Sequence, residues 1–479
     1  MQQDNFKDKV IKGTLWSFLE AFARQFISFL LGLILARLLF PSDYGLIGML
    51  MFFIAICQVF IDCGFANALI CKKDRDDKDF STAFYFNLII GVVAYLILFI
   101  IAPYVAEFYN EPILKSLLRV VALSVVFNSL SIVQNAILTA TLKMRLLTVV
   151  SVISQIIAGI VGVILAYAGF GVWALAIQSV GGSFMTMLTL WIVTKWRPRE
   201  SWSNSSFKYL WGFGSKMLFV GLISNAYSNI HSMLIGKFFN KNQLGLYSKS
   251  YNLSRIIPNT LYLALNKVSL PSFSSISDDN IHLKQIFRSY VLMASFIIFP
   301  IMGLMIVLAK PLILFLWTEK WNEAIPIFQI MCMGCVWNTL NLLSISILQV
   351  KQRPDLLLRL EIINKIVGFI LLVITIPMGF YSVIIGRACY NFYEYIVYSI
   401  CSNKMLLYTL KEQIVDIFPY ILLTIVSCVF AYLIQGLVEK DFLKLLLGGS
   451  VGIASYISLS CIFRLRAWSD TLKLIKSIF

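Results

Sequence analysis

Apolar residues fall along this chain in blocks of about twenty, separated by short breaks that collect the charges, prolines and turn glycines. A surface helix of a soluble domain shows one apolar stripe, whereas these blocks are apolar on every side. Roughly twenty residues is also the length a helix needs to cross a hydrocarbon core of about 30 Å. The pattern predicts helices near 14–36, 45–66, 82–102, 117–139, 147–168, 171–194, 211–235, 244–268, 289–310, 325–349, 358–378, 381–402, 414–436 and 442–463. The expected fold is therefore an all-α polytopic membrane protein of about 14 transmembrane helices. An even number of spans returns both ends of the chain to one side.

The breaks themselves repeat. ARLLFPSDYG at 36–45 separates the first two predicted spans and GKFFNKNQLG at 236–245 separates the seventh and eighth, aligning Arg37 with Lys237, Gly45 with Gly245 and Leu46 with Leu246. At an offset of 210, VFNSL (126–130) matches VWNTL (336–340), Ile137-Leu138 matches Ile347-Leu348, and Gly169-Phe170 matches Gly379-Phe380. The collinear order of these matches predicts two six-helix repeats. Six is even, so both copies start on the same side and the repeats are parallel, related by an axis along the membrane normal. The expected organisation is an N-terminal lobe over 1–200, a second lobe over 201–410, and two further helices with a tail over 411–479.

Composition sharpens this picture. Hydrophobic residues make up 59% of the 479 and charged residues 13%, against about 25% charged in soluble domains, which leaves no room for a sizeable soluble domain. The formal charge of +16 would suit nucleic acid on a soluble face, but the cations follow the loops. The N-terminus, the even-numbered loops (71–80, 140–146, 195–209, 267–288, 350–359 and 403–412) and the C-terminal tail hold 25 of the 40 Lys and Arg, the odd-numbered loops with the span ends beside them 9, and the span interiors 6. The positive-inside rule then places both termini in the cytoplasm, and no nucleic-acid partner is expected. MQQDNFKDKVIKG has no cleavage site before its long apolar run, so no removable signal peptide is expected. Cys332 and Cys335 form a C-x-x-C inside a span with no His nearby, which reads as packing. H-E-x-x-H, P-loop and G-x-S-x-G motifs are lacking, and His231 and His282 lie in different regions. Catalysis is not expected, and no loop is long enough for the extracytoplasmic part of a glycan polymerase or ligase.

The informative residues are ionisable groups inside spans. Each costs about 2.5–3.5 kcal/mol to insert and so tends to face a bundle interior or a watery cavity. Glu20 and Arg24 are one turn apart in the first span, Arg255 lies three residues before Pro258, Glu361 and Lys365 are one turn apart, and Arg387 and Glu394 share a helix face. Lys216, Lys249, Glu361 and Lys365 lie near span ends, where snorkelling is an adequate alternative. Glu20 and Arg24 could simply neutralise each other. Asn128, Asn338, Asn225, Asn229, Gln155 and Gln178 read as interhelical hydrogen bonds, and Trp16, Trp196, Trp202 and Trp211 as interfacial anchors. Cations outnumber anions at membrane depth, which points to an anionic ligand, and Arg suits phosphate through paired in-plane donors. A soluble anion and a phosphate-bearing lipid both fit.

Two six-helix halves plus two extra helices, with LARLLFPSDYGLIGM at 35–49 and QLGLYSKSYNLSRIIP at 243–258, resemble the polysaccharide transporter family of the multidrug/oligosaccharidyl-lipid/polysaccharide exporter superfamily. Within it the chain most resembles the O-antigen and colanic-acid type flippases. The motif [LI]-A-R-x-L-x-P-x-[DE]-[YF]-G is fairly specific for that family. The resemblance implies a bacterial inner-membrane protein that moves undecaprenyl-pyrophosphate-linked oligosaccharide units across the bilayer by rocking two lobes about a cationic cavity. It implies as partners the lipid-linked oligosaccharide, membrane lipids, and a polysaccharide polymerase with its chain-length machinery. Substrate-binding candidates are Arg24, Arg255, Arg387, Lys216 and Lys365. Glu20, Glu394 and Asp62 are candidates for exchange with a proton or sodium ion, and no bound cofactor or metal is expected. The alternatives are a cation-coupled multidrug exporter of the same superfamily and a non-transporting glycan-assembly membrane protein.

Overall fold

The computed structural model describes residues 23–62, 64–72, 74–276, 278–463 and 465. Those residues are helical almost throughout, with no strand among them. Packing divides the chain into a unit ending at Gly245 and a unit beginning at Leu246. The first contains α1 (23–38), α2 (Pro41–Asp62), α3 (Phe65–Cys71), α4 (Asp77–Tyr109), α5 (Ile113–Val121), α6 (Leu123–Ser129), α7 (Ile132–Ala140), α8 (Met144–Tyr167), α9 (Val172–Thr194), α10 (Asn204–Phe238) and the first turn of α11 (Lys241–Ser274). The second holds the rest of α11, then α12 (Asn280–Val307), α13 (Ala309–Trp317), α14 (Ala324–Val350), α15 (Pro354–Thr375), α16 (Phe380–Leu406), α17 (Leu410–Gln435) and α18 (Asp441–Ile462). The lobes expected from the repeat divide the chain by sequence near residue 200. The packing division is a separate one that leaves α10 with the first unit.

Among the described residues nine helical segments are long and apolar enough to cross a membrane: Pro41–Ile70, α4, Ile113–Ala140, α8, α9, α12, α14, α17 and α18. The protein is a multi-pass membrane protein. The other predicted spans fall on α1, α10, α11, α15 and α16. These five carry Arg24, Lys216, Lys249, Arg255, Lys365 and Arg387, the cations expected at membrane depth.

One predicted span is not a single helix. Residues 117–139 fall across α5, α6 and α7, with breaks after Val121 and Ser129 and neither glycine nor proline to mark them. Serine hydroxyls cluster at both breaks. Ser124 Oγ donates to the Val121 carbonyl at 2.6 Å, Ser129 Oγ to Val126 at 2.8 Å and Ser131 Oγ to Phe127 at 2.8 Å, and such local bonds compete with the helical ladder. Asn225 and Asn229 also depart from expectation, each donating to a carbonyl one turn earlier within α10. Asn128 bonds across helices, to Gln58 Oε1 at 3.0 Å.

Chain connections sort by parity in each unit. In the first, Lys237 Nζ donates to the Phe108 carbonyl at 2.5 Å and Lys241 pairs with Glu111 at 2.9 Å, gathering the third and seventh connections. On the alternate connections, Arg75 Nη2 donates to the Ala140 carbonyl at 3.3 Å, Trp196 Nε1 to Asp77 at 3.3 Å and the Ser203 amide to Thr82 at 3.1 Å. In the second unit Lys284 reaches the Leu407 carbonyl at 2.6 Å and Glu412 at 3.1 Å, and Lys351 reaches Asn280 at 2.6 Å.

The two repeated breaks meet. At the first, Asp43 Oδ2 accepts from the Phe40 amide at 3.0 Å; at the second, Asn240 Oδ1 accepts from the Gln243 amide at 2.8 Å. Asn240 is the N-cap of α11, and Asp43, in the first turn of α2, bonds back to the residue before that helix. Gly45 and Gly245 stand four residues into their helices, and both are buried. A Cβ built on Gly45 would overlap the Lys241 carbonyl, and one built on Gly245 would overlap the Pro41 carbonyl. Here glycine is required by backbone proximity, reciprocally.

In the second unit α17 is held to α12 by a two-toothed ion pair. Arg288 Nε and Nη2 donate to Asp416 at 2.6 and 2.5 Å, and Tyr408 Oη donates to the same carboxylate at 2.5 Å. Asp416 is nearly buried, so removing its cation strands a carboxylate. Arg288→Ala is expected to lower the melting temperature by several degrees, whereas Arg353→Ala, which breaks an exposed pair with Asp355, leaves it within error; thermal unfolding in detergent checks both.

Candidate functional site

Within the second unit the structure brings together residues from α11, α14, α15 and α16. Serine and threonine fix the rotation of α11 against α14: Ser254 Oγ lies 3.6 Å from Cys335 Sγ, and Thr339 Oγ1 donates to the Pro258 carbonyl at 3.4 Å. Gly334 then lets α14 approach α16 closely, since a Cβ there would stand 2.7 Å from Ala388 Cα. Cys332 and Cys335 are fully buried free thiols, which agrees with a packing role.

This packing turns Arg255 of α11 and Arg387 of α16 toward one tyrosine. Arg255 Nη1 donates to Tyr251 Oη at 2.8 Å, and Arg387 Nη2 donates to the same oxygen at 3.3 Å. Both guanidinium carbons lie near the Tyr251 ring, at 5.1 and 5.8 Å from its centroid, and that ring stacks on Tyr247 at 5.7 Å. A phenolic oxygen has two acceptor sites and one proton. With both arginines on its lone pairs, the Tyr251 hydroxyl keeps its own proton to donate. The Arg255 Nε–H is buried without a hydrogen-bond acceptor. Two cations and a phenol therefore converge in a donor set that an anion's oxygens would satisfy.

A second group adjoins it on α15 and α16. Arg387 also lies 5.5 Å from the Tyr390 ring, and Tyr390 Oη donates to Glu394 Oε1 at 2.8 Å. Glu394 in turn feels the charges of Arg387, Glu361 and Lys365. Lys365 pairs with Glu361 at 3.1 Å, and Tyr398 Oη donates to Glu361 at 3.2 Å. Asn364, between them on α15, is 1% exposed. The arrangement is a string of alternating charges joined by tyrosines.

The remaining candidates lie in the first unit. Arg24 is on the exposed side of α1, and Asp62 ends α2, where its carboxylate accepts from Gln58 at 3.2 Å. Glu20 lies outside the described residues, and so does the Lys216 side chain, although its backbone is part of α10. Arg37 and Lys237 stand at helix ends, Lys237 on the Phe108 carbonyl.

Tyr251, Tyr390 and Tyr398 are the residues that reading the sequence missed. The available signal was position: membrane tyrosines collect at span ends, whereas these three lie inside spans. Tyr251 stands one turn before Arg255 and Tyr390 one turn before Glu394.

Residues 34–326, more than half of the chain, match the family described as "Polysaccharide biosynthesis protein". The teichuronic acid biosynthesis protein TuaB of Bacillus subtilis (strain 168) is 24% identical over 301 residues, 62% of this chain and 62% of that protein. The lipopolysaccharide biosynthesis protein WzxC of Escherichia coli (strain K12) is 24% identical over 359 residues, 74% of this chain and 72% of that one. Among solved structures, the lipid II flippase MurJ in an inward closed conformation aligns with a TM-score of 0.76 at 16% identity, over 93% of this chain and 98% of that one. An inward-facing multidrug resistance MATE family transporter of the MOP superfamily aligns at 0.62 and 15% identity, over 80% of this chain and 94% of that one. The structural likenesses establish the fold, that of a MurJ- and MATE-like helical membrane protein. The family match establishes kinship: the chain belongs to the polysaccharide biosynthesis protein family.

Proposed function

We propose that this protein is a flippase for undecaprenyl-pyrophosphate-linked oligosaccharide units in the bacterial inner membrane, serving O-antigen, capsule or exopolysaccharide synthesis. The observation that carries the reading is the convergence of Arg255 and Arg387 on Tyr251 Oη inside a family of polysaccharide biosynthesis proteins. A pyrophosphate presents oxygens in the geometry that two guanidinium planes and a phenol proton can bind together. The polyprenyl chain stays in the lipid while the head enters the cationic cavity, and the two lobes alternate access to the two faces. No bond of the substrate breaks, so the protein acts as a transporter and needs no bound cofactor. Lys365, on α15 of the same unit, extends the cationic group, and Arg24 and Lys216 are further candidate contacts for the anion. The termini and the even-numbered loops face the cytoplasm, and product passes to a polymerase with its chain-length machinery.

The membrane potential contributes to the drive. A pyrophosphate carries about two charges, and each is worth about 2.3 kcal/mol per 100 mV, downhill toward the outside when the cytoplasm is negative. Glu394, Glu20 and Asp62 are the groups available for proton or sodium exchange. Dissipating the potential in proteoliposomes is expected to slow translocation severalfold, and an unchanged rate removes this part of the proposal. The reading as a whole is tested by deleting the gene and analysing the lipid fraction. A lipid-linked oligosaccharide should accumulate with its sugar facing the cytoplasm. Altered drug tolerance with no such lipid would favour the multidrug exporter instead.

A further inference from the structure

Far along the sequence from the arginine site, α5 has two chemically opposite faces. Leu114, Leu117, Leu118 and Val121 are buried, while Lys115, Ser116 and Arg119 line an open cavity of about 380 Å³ together with Pro112 and Val120. The Arg119 guanidinium lies 4.0 Å from the centroid of the Phe99 ring of α4, and its Nε–H is buried without a hydrogen-bond acceptor. Neither Lys115 nor Arg119 has a carboxylate partner among the described residues, and the nearby Glu111 is engaged by Lys241. The cavity thus has cationic donors and lacks an anion to receive them.

The surface reached through Phe99 identifies the kind of anion. On α4, Leu96 stands one turn before both Phe99 and Ile100, and Leu96, Ile97 and Ile100 form an apolar stripe that is 50%, 50% and 64% exposed. Tyr104, at 67% exposure, continues the face toward the helix end. In a membrane protein such a face meets acyl chains, with tyrosine at headgroup level. We infer that the cavity holds the headgroup of a resident anionic phospholipid. Lys115 and Arg119 bind its phosphate oxygens, and an acyl chain lies along Leu96, Ile97 and Ile100. The assignment stands on α4 and α5 alone and does not depend on what the protein transports.

The test is a titration of the purified full chain in neutral detergent, read by native mass spectrometry. The probes are short-chain phosphatidylglycerol, short-chain phosphatidylcholine and a short polyprenyl phosphate. Phosphatidylglycerol is expected to bind saturably and about tenfold more tightly than phosphatidylcholine, a preference that Lys115→Gln with Arg119→Gln abolishes and Arg119→Lys largely keeps. Because the double variant could misfold, weakening of binding to the unaltered protein by added salt is a second readout, expected as a several-fold loss. Equal binding of the two phospholipids, or an unchanged preference in a folded double variant, overturns the proposal. A polyprenyl phosphate bound in preference to phosphatidylglycerol at this cavity also overturns it, by making the cavity a station of the transported lipid.

Discussion

Replacing Arg255 by glutamine is expected to cut translocation by about one to two orders of magnitude while the protein still folds, since a charged hydrogen-bonding partner contributes about 1.5–3 kcal/mol. The same substitution at Arg387 should have a comparable effect, because both guanidinium groups bond the Tyr251 hydroxyl. If the two arginines grip one pyrophosphate, the double variant is little worse than the worse single one, since residues acting as a unit are strongly non-additive. Tyr251→Phe separates the parts. It keeps the ring under both cations and removes only the shared oxygen, so a severalfold loss is expected. Arg255→Lys preserves charge without the planar fork and should restore a minor part of the activity. Arg353→Gln, at an exposed surface pair, is the control expected to leave transport unchanged. The assay is in vivo complementation scored by surface polysaccharide, with each variant quantified in the membrane fraction. Full complementation by Arg255→Gln and Arg387→Gln together would remove the site.

Gly45→Leu or Gly245→Leu is expected to abolish the folded protein. Overpacking a core costs about 1–3 kcal/mol when side chains can move aside. Here the obstacles are the main-chain carbonyls of Lys241 and Pro41 at the first turns of α11 and α2, which have no alternative rotamer. Each substitution must drive these two helix starts apart. Alanine adds only the Cβ, but the Cβ is already the overlapping atom, so Gly45→Ala and Gly245→Ala should also fail to give a monodisperse protein. Gly181→Ala, where no atom lies within 4 Å of the added carbon, is the matched control expected to behave as the parent. Size-exclusion profiles and thermal unfolding of the purified variants decide the matter.

The repeated break was legible because its spacing survives in both halves, and the structure gives that spacing a purpose in two reciprocal glycine contacts. The apolar blocks were legible for a similar reason, since the bilayer fixes their length. The interruptions of the fourth span were not, because serine hydroxyls bonding to their own helix look the same in sequence as serines that do not. Arg255 and Arg387 could be singled out by the cost of their charge, but their meeting at Tyr251 depends on the rotation of α11 and α16, which Cys335, Thr339 and Gly334 of a third helix, α14, set. Pairwise geometry of that kind has no period in one chain. The Glu361–Lys365 pair was legible because both ends lie on one helix, four residues apart.

The most direct measurement of the central claim is transbilayer movement itself. Purified protein would be reconstituted into liposomes containing a fluorescent polyprenyl-pyrophosphate disaccharide, and the fraction accessible to an external quencher or lectin followed in time. The account predicts that the protein accelerates equilibration between leaflets and that vesicles carrying Arg255→Gln with Arg387→Gln equilibrate as slowly as empty ones. Equal rates in empty vesicles and in vesicles holding folded parent protein would contradict it.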